Sequence, residues 1–198
     1  MRDEGYKNFV LDPSIKPLKQ EHKIAGQIFT IEGRSNTSYS HHETLLAWTG
    51  MLSKAPSDKV LICQPNDNVA AFMGELSAEY LLKKNIRGYI ADGGCRDVEF
   101  INNINFPVWA KFNTPKDVVA YWKPDVLESQ IKIGDVLINN NDYVMQKAIS
   151  PFLKDRSLIH DIEKLNNATF GKRKAIIFYG FDYDDIKYWM PVDQYIGG

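Results

Sequence analysis

At 198 residues, 44% hydrophobic and 25% charged, the chain has the composition of one globular domain with a sizeable core. A net charge of −1 argues against nucleic acid as an electrostatic partner, and two cysteines, Cys63 and Cys95, make neither a metal spacing nor a disulfide framework, which favours a reducing compartment. No apolar run reaches the length of a membrane span and no signal-peptide pattern opens the sequence, so no membrane partner and a cytoplasmic location are expected.

Residues 1–22 are polar and interrupted by Pro13 and Pro17, which predicts an irregular or partly helical arm packed on a core or a neighbouring subunit. Residues 24–32 (IAGQIFTIE) alternate as a first strand, 33–40 form a polar loop, and 42–52 place positions 45, 48, 49 and 52 on one helix face. Adjacent His41 and His42 would point in different directions on that helix, so they do not read as a metal pair. Residues 59–63 (KVLIC) read as a buried strand, and Asp67 in the loop after it as a turn or capping residue ahead of a pocket-lining one.

The most site-like stretch is 73–97, MGELSAEYLLKKNIRGYIADGGCRD. Phe72, Leu76, Ala78, Tyr80, Leu81 and Leu82 predict an apolar helical stripe that Lys83 and Lys84 close, with Gly74 and Glu75 near the helix start, where free main-chain N–H groups can hold an anion. Residues 87–91 read as a short buried strand stopped by the Asp92-Gly93-Gly94 turn, after which Arg96 and Asp97 stand at the C-terminal end of a strand. The twenty residues between Glu75 and Arg96 are the length a helix and a returning strand need to reach the same edge. Two carboxylates with one arginine suit a hard divalent cation, Mg²⁺ or Mn²⁺, and an anionic oxo-acid.

Beyond this stretch, 97–103 predicts a short helix and 106–111 (FPVWAK) a strand in which Trp109 packs and Lys111 meets solvent. Residues 133–138 (IGDVLI) read as a strand start and 145–165 as a helix interrupted at Pro151. Residues 172–179 (KRKAIIFY) read as a further strand, and 182–198 as an aromatic, acidic tail. Asp182, Asp184 and Asp185 read as a solvated loop before a cation site. Phosphate-loop, nucleophile-elbow and dinucleotide patterns are absent.

Gly74-Glu75-Leu76 resembles the Gly-acid/x-Leu element, and Asp92-Gly93-Gly94-Cys95-Arg96-Asp97-Val98 the Asp-Gly-x-x-Arg-Asp-Val turn, of a known family. These are the class II 4-hydroxy-4-methyl-2-oxoglutarate/4-carboxy-4-hydroxy-2-oxoadipate (HMG/CHA) aldolases and the RraA-like regulators of ribonuclease E activity. The resemblance spans residues 24–115 and includes His42-Glu43, a Pro56-Ser57-Asp58 strand entry and Phe106-Pro107-Val108. It implies an α/β fold, a layered α/β/β/α sandwich of the swivelling phosphohistidine-domain type, with an arm (1–23), a domain (24–170) and an atypical C-terminal extension packed on it (171–198). It also implies a homotrimer or homohexamer with the site between subunits.

The implied activity is that of a divalent-metal-dependent carbon–carbon lyase, cleaving a short 2-oxo acid by retro-aldol chemistry or decarboxylating an oxaloacetate-like acid through a pyruvate enolate. The resemblance assigns the metal to Asp97 and substrate and enolate binding to Arg96. Glu75 takes the acid that holds water at the metal, and Gly74 and Leu76 the main-chain cradle of the pyruvyl carboxylate. Two other readings stand beside it: a non-catalytic RraA-type regulator that binds a partner enzyme such as a ribonuclease, and a structural Arg96-Asp97 pair capping the helix that follows.

Overall fold

The computed structural model describes residues 8–146 and 175–178. After the edge segment β1 (Lys16–Pro17), the long β2 (Ile24–Ser35) forms the axis of the main sheet. On one side it pairs in parallel with β3 (Lys59–Gln64), and the sheet continues through β4 (Gly88–Ala91) and β6 (Val108–Ala110), also parallel, to antiparallel β1. Parallel neighbours need a crossover, and helices provide it: α1 (His41–Lys54), α2 (Glu75–Lys83) and α3 (Val98–Asn103). The other side of β2 is shared by two antiparallel strands, β8 (Trp122–Leu127) against Ile31–Ser35 and β11 (Tyr143–Gln146) against Ile24–Gln27. β12 (Ala175–Phe178) lies parallel to β11. Beyond β4 and β6, β5 (Gly94–Cys95) and β7 (Phe112–Asn113) form a small parallel ladder, and β9 (Ile131–Ile133) and β10 (Val136–Ile138) form a hairpin.

Both faces of the sheet are covered, so its central strands are apolar almost throughout. Phe29, Ile31, Leu61 and Tyr89 face the helices with Met51, Ala78, Leu81 and Ile101. Ile28, Val60, Ile62, Ile90 and Trp109 face the opposite way, against the β9–β10 hairpin and Leu11 and Ile15 of the N-terminal segment. Each fully buried side chain of this size contributes about 1.5–3 kcal/mol. The described residues form a mixed α/β unit with helices on one face and a hairpin on the other.

Several elements depart from expectation. α1 buries Thr44, Met51 and Leu52, while Leu45 and Leu46 are 48% and 58% exposed; α2 buries Ala78 and Leu81, while Leu76 is 78% exposed. Each helix lies on the sheet along a stripe narrower than its apolar content, and the surplus faces a cleft or solvent. β2 runs on to Ser35 through residues expected to be loop. Residues 131–138 make a hairpin about Gly134 (φ +57°), where one strand was expected. Met145 and Gln146, read as the start of a helix, are strand residues paired with Ala25 and Ile24; the rest of that reading, 147–165, lies outside the described residues, as do Asp182, Asp184 and Asp185.

β8 escaped the sequence reading because Pro124 interrupts it. The proline is tolerated opposite Gly33, where the β2–β8 register shifts at a bulge. Gly33 also admits the ring of Trp122: a Cβ there would stand 2.2 Å from Trp122 Cζ2 and 2.4 Å from the Lys123 carbonyl. Trp122 is fully buried, donates from Nε1 to the Pro65 carbonyl (2.8 Å) and meets Phe72 and Trp48 edge to face. Asp67 fastens the same region: Oδ1 accepts from the Val69 and Ala70 amides and Oδ2 from the Tyr121 hydroxyl at 2.5 Å. Desolvation opposes ionisation of Asp67, but the Tyr121 and main-chain hydrogen bonds outweigh it and hold its pKa below the usual value.

Gly33→Ala should lower unfolding free energy by about 1–3 kcal/mol through overpacking. Gly50→Ala, mid-helix with nothing within 4 Å of the added methyl, should raise it by about 0.5–1 kcal/mol; urea titration of both checks the contrast. A carboxylate with a depressed folded pKa contributes stability that is complete above its unfolded value near ~3.9 and is lost as pH falls through the folded value. Asp67→Asn should therefore flatten the acid limb of a stability–pH profile, and a limb of unchanged steepness would contradict this account.

Candidate functional site

The site is built where the chain leaves the parallel strands. After β3 the segment 70–74 runs beside β5, with Phe72 N–H on the Gly94 carbonyl (2.8 Å) and Arg96 N–H on the Met73 carbonyl (2.9 Å). This pairing carries Arg96 and Asp97 to the N-terminus of α2. Gly74 is the N-cap of α2 and has no side chain to satisfy the first-turn amides. Asp97 fills that role from a distance of 22 residues, its Oδ2 accepting from the Glu75 amide at 3.0 Å.

The turn is tightly specified. Asp97 sits in the left-handed region (φ 56°, ψ 36°), a conformation that short polar side chains tolerate better than branched ones. It is the N-cap of α3 by position but makes no side-chain cap bond there, so its carboxylate serves α2 and not the helix that follows. Gly74 is required by the same contact: a Cβ would lie 2.8 Å from Arg96 Nε and 2.9 Å from Asp97 Oδ2.

Arg96 lies between two acids, with its Nε 3.6 Å from Asp97 Oδ2 and its Nη1 2.8 Å from Asp117 Oδ2. All three side chains are more than a third exposed, so these contacts orient the guanidinium more than they stabilise the fold. Sequence reasoning missed Asp117. It follows the Thr114-Pro115 exit from β7, where Val119 N–H bonds its Oδ1, and nothing in its local pattern distinguishes it from an ordinary turn acid.

A cleft of about 350 Å³ opens beside this cluster, between α1, α2 and residues 117–119. Arg96 and Asp117 stand in its wall with Gly74, Leu76 and Ser77 of the α2 start, and Trp48, Leu52 and Tyr80 extend it between the helices. Of the residues singled out in the sequence, Gly74, Arg96, Asp97 and the main chain of Glu75 meet. The Glu75 side chain is exposed, and Leu76 offers the cleft a largely exposed side chain.

The other candidates fall elsewhere. Trp109 is fully buried and Lys111 pairs with Asp92 at 2.5 Å. His41 and His42 are exposed at the start of α1. Burial pushes the thiols of Cys63 and Cys95 up to about 12, and Cys95 Sγ donates to the Arg96 carbonyl, so neither is poised as a thiolate nucleophile. Among the described residues no three His, Cys, Asp or Glu side chains are grouped to cage a metal, and no helix is long and apolar enough to cross a membrane.

A family model described as RraA-like, Aldolase/RraA, matches residues 1–148. Protein DlpA of Legionella pneumophila is 32% identical over 99 residues, 48% of this chain and 15% of that protein. A Halalkalibacterium halodurans protein named "Putative 4-hydroxy-4-methyl-2-oxoglutarate aldolase" is 24% identical over 140 residues, 70% of this chain and 62% of that one. The chain therefore spans less than two thirds of the length of either curated relative. A solved structure of Streptomyces coelicolor RraAS2, described as an unusual member of the RNase ES inhibitor RraA protein family, superposes with a TM-score of 0.65 at 18% identity, covering 84% of this chain and 86% of that one. The structural match is a likeness of fold, and with the family model spanning the segment that builds the cleft and its charged cluster, the chain belongs to the RraA-like (Aldolase/RraA) family.

Proposed function

We propose that the chain is a divalent-metal-dependent carbon–carbon lyase acting on a short 2-oxo acid. The supporting observation is the charge of the cluster: Asp97 and Asp117 converge on one guanidinium at the cleft wall, and the backbone amide of Glu75 at the α2 start bonds Asp97. An anionic substrate would meet net negative charge there unless a cation joined it.

The donor set fits Mg²⁺ or Mn²⁺. Asp97 commits Oδ2 to the α2 amide, so Oδ1 is the oxygen that would take the ion, and Glu75 is the acid that would hold ordered water beside it. Magnesium binds through one or two carboxylates, waters and substrate, so it does not need a cage of three protein ligands. The RraA-like resemblance further implies an acid from a neighbouring subunit, in a trimer or two stacked trimers of the α/β/β/α swivelling type.

Cleaving a 4-hydroxy-2-oxo acid breaks C3–C4, sends the bonding pair into the C2 carbonyl as an enolate, and turns the C4 alcohol into a carbonyl as its proton leaves. Protonation at C3 then yields pyruvate. The energetic difficulty is negative charge developing on the C2 oxygen. Arg96, held in place by Asp117, donates to the substrate carboxylate and that oxygen. The first-turn amides of α2 around Leu76 cradle the carboxylate, and Gly74 leaves the space. When bound, the metal supplies Lewis-acid stabilisation at the same oxygen. No lysine lines the cleft among the described residues, which disfavours a Schiff-base route. Decarboxylation of an oxaloacetate-like acid needs the same enolate stabilisation.

A second reading, a regulator that binds a partner enzyme, draws on the exposed Leu45, Leu46, Leu76 and Tyr80 of α1 and α2, an apolar surface that a partner could cover.

Pyruvate release from oxaloacetate and from a panel of 4-hydroxy-2-oxo acids, with Mg²⁺ and after chelation, separates the two readings. Activity should require the metal and fall about 10²-fold or more in Asp97→Asn, which retains an acceptor for the Glu75 amide. Metal-independent turnover, or a fully active Asp97→Asn, would remove the assignment. Gly74→Ala should lower kcat/KM by about tenfold or more by displacing Arg96 and Asp97; circular dichroism would show whether the fold is retained.

A further inference from the structure

The hydroxyl of Ser77 does not follow the pattern of the α1 threonines. Thr44 donates to the Ser40 and His41 carbonyls and Thr49 to those of Leu45 and Leu46, the bonds back into the preceding turn that such side chains ordinarily make in a helix. Ser77, in the first turn of α2, reaches across to α1, where its Oγ accepts from Trp48 Nε1 at 2.9 Å. The Met73 carbonyl, four residues back, takes the Arg96 amide at 2.9 Å.

An indole N–H can only donate, so the serine oxygen is the acceptor of this pair and its own proton is left for a second partner. The indole is itself held in place, meeting the buried Trp122 edge to face with 5.9 Å between ring centroids. Ser77 is half-buried, and it lines the cleft with Trp48, Gly74 and Arg96. Its hydroxyl thus stands in the same first turn whose amides face outward from the helix start.

We infer that the Ser77 hydroxyl, oriented by Trp48, donates to the carboxylate of the bound 2-oxo acid, beside Arg96 and the first-turn amides of α2. The inference rests on the lyase reading and adds a substrate-binding residue to the same site. Ser77 keeps its proton throughout, because its task is to hold the acid. A donor turned toward the anion in advance needs no reorganisation when the acid arrives, and a charged acceptor strengthens the bond. Trp48 is a positioning residue that acts through Ser77. Without the indole N–H the hydroxyl can turn back to carbonyls of its own helix, as those of Thr44 and Thr49 do.

Oxalate is the probe, because its adjoining carboxylate and oxyanion give it the planar outline of the pyruvate enolate. Calorimetry on the full chain with Mg²⁺ should show Ser77→Ala binding oxalate about tenfold or more weakly, and Ser77→Thr, which keeps a hydroxyl, recovering most of that loss. Trp48→Phe keeps a ring against Trp122 and removes the N–H. It should weaken oxalate about threefold or more in the unaltered chain and change it little in the Ser77→Ala background. A tie between α1 and α2 with no part in binding would shift thermal stability without this pattern in affinity. Undiminished affinity in Ser77→Ala would overturn the inference, the proton then belonging to a contact elsewhere in the assembly. So would a Trp48→Phe loss that is as large in the Ser77→Ala background, or an unaltered chain that binds no oxalate. Pyruvate release from 4-hydroxy-2-oxo acids is measured separately. Ser77-dependent oxalate binding without turnover refutes the lyase reading alone, and turnover with kcat/KM unchanged in Ser77→Ala refutes the role of Ser77 alone.

Discussion

The site depends on one hydrogen bond between distant parts of the chain, from the Glu75 amide to the Asp97 carboxylate. A helix that begins on glycine leaves its first amides without a side-chain partner, and an acid from the next turn of the fold supplies one. That bond, with the main-chain pairing of Phe72 to Gly94 and Arg96 to Met73, holds the 94–97 turn against α2, and the turn sets Arg96 in the cleft wall. The absence of a side chain at Gly74 and the left-handed backbone of Asp97 are both conditions of the same contact.

The sheet explains why the contact forms where it does. β3 and β4 run parallel and end together, so the segments that follow them emerge on one edge of the sheet, where helix starts and strand-end turns meet. Trp122 closes this end from below, packed over Gly33 and bonded to Pro65, while Asp67 ties the loop after β3 to Tyr121. The support for the cleft thus comes from β8, whose strand character its own sequence conceals.

At the α2 start, two acids meet a single guanidinium. Elsewhere the cleft lining is mostly apolar because α1 and α2 carry more large hydrophobic residues than the sheet can bury, leaving Leu45 and Tyr80 to face the gap between them. The same surplus that blurs the helical stripes in the sequence forms the cleft walls in three dimensions.

Much of the fold was legible in the sequence, because the alternation in 24–32 and the apolar runs of β3, β4 and β6 follow from strands covered on both faces. The return of the Arg96–Asp97 turn to the α2 start at Glu75 was legible too, since helix and strand lengths fix how far a chain travels before it returns, although the Glu75 main chain and not its side chain makes the contact. Which face each helix buries was not, because more apolar residues were present than contacts to satisfy, and only packing on the sheet chooses among them. The role of Asp117, the target of the Asp97 carboxylate and the strand hidden by Pro124 were decided by tertiary structure alone. Each depends on a partner far away in the chain, and local sequence carries no record of that partner.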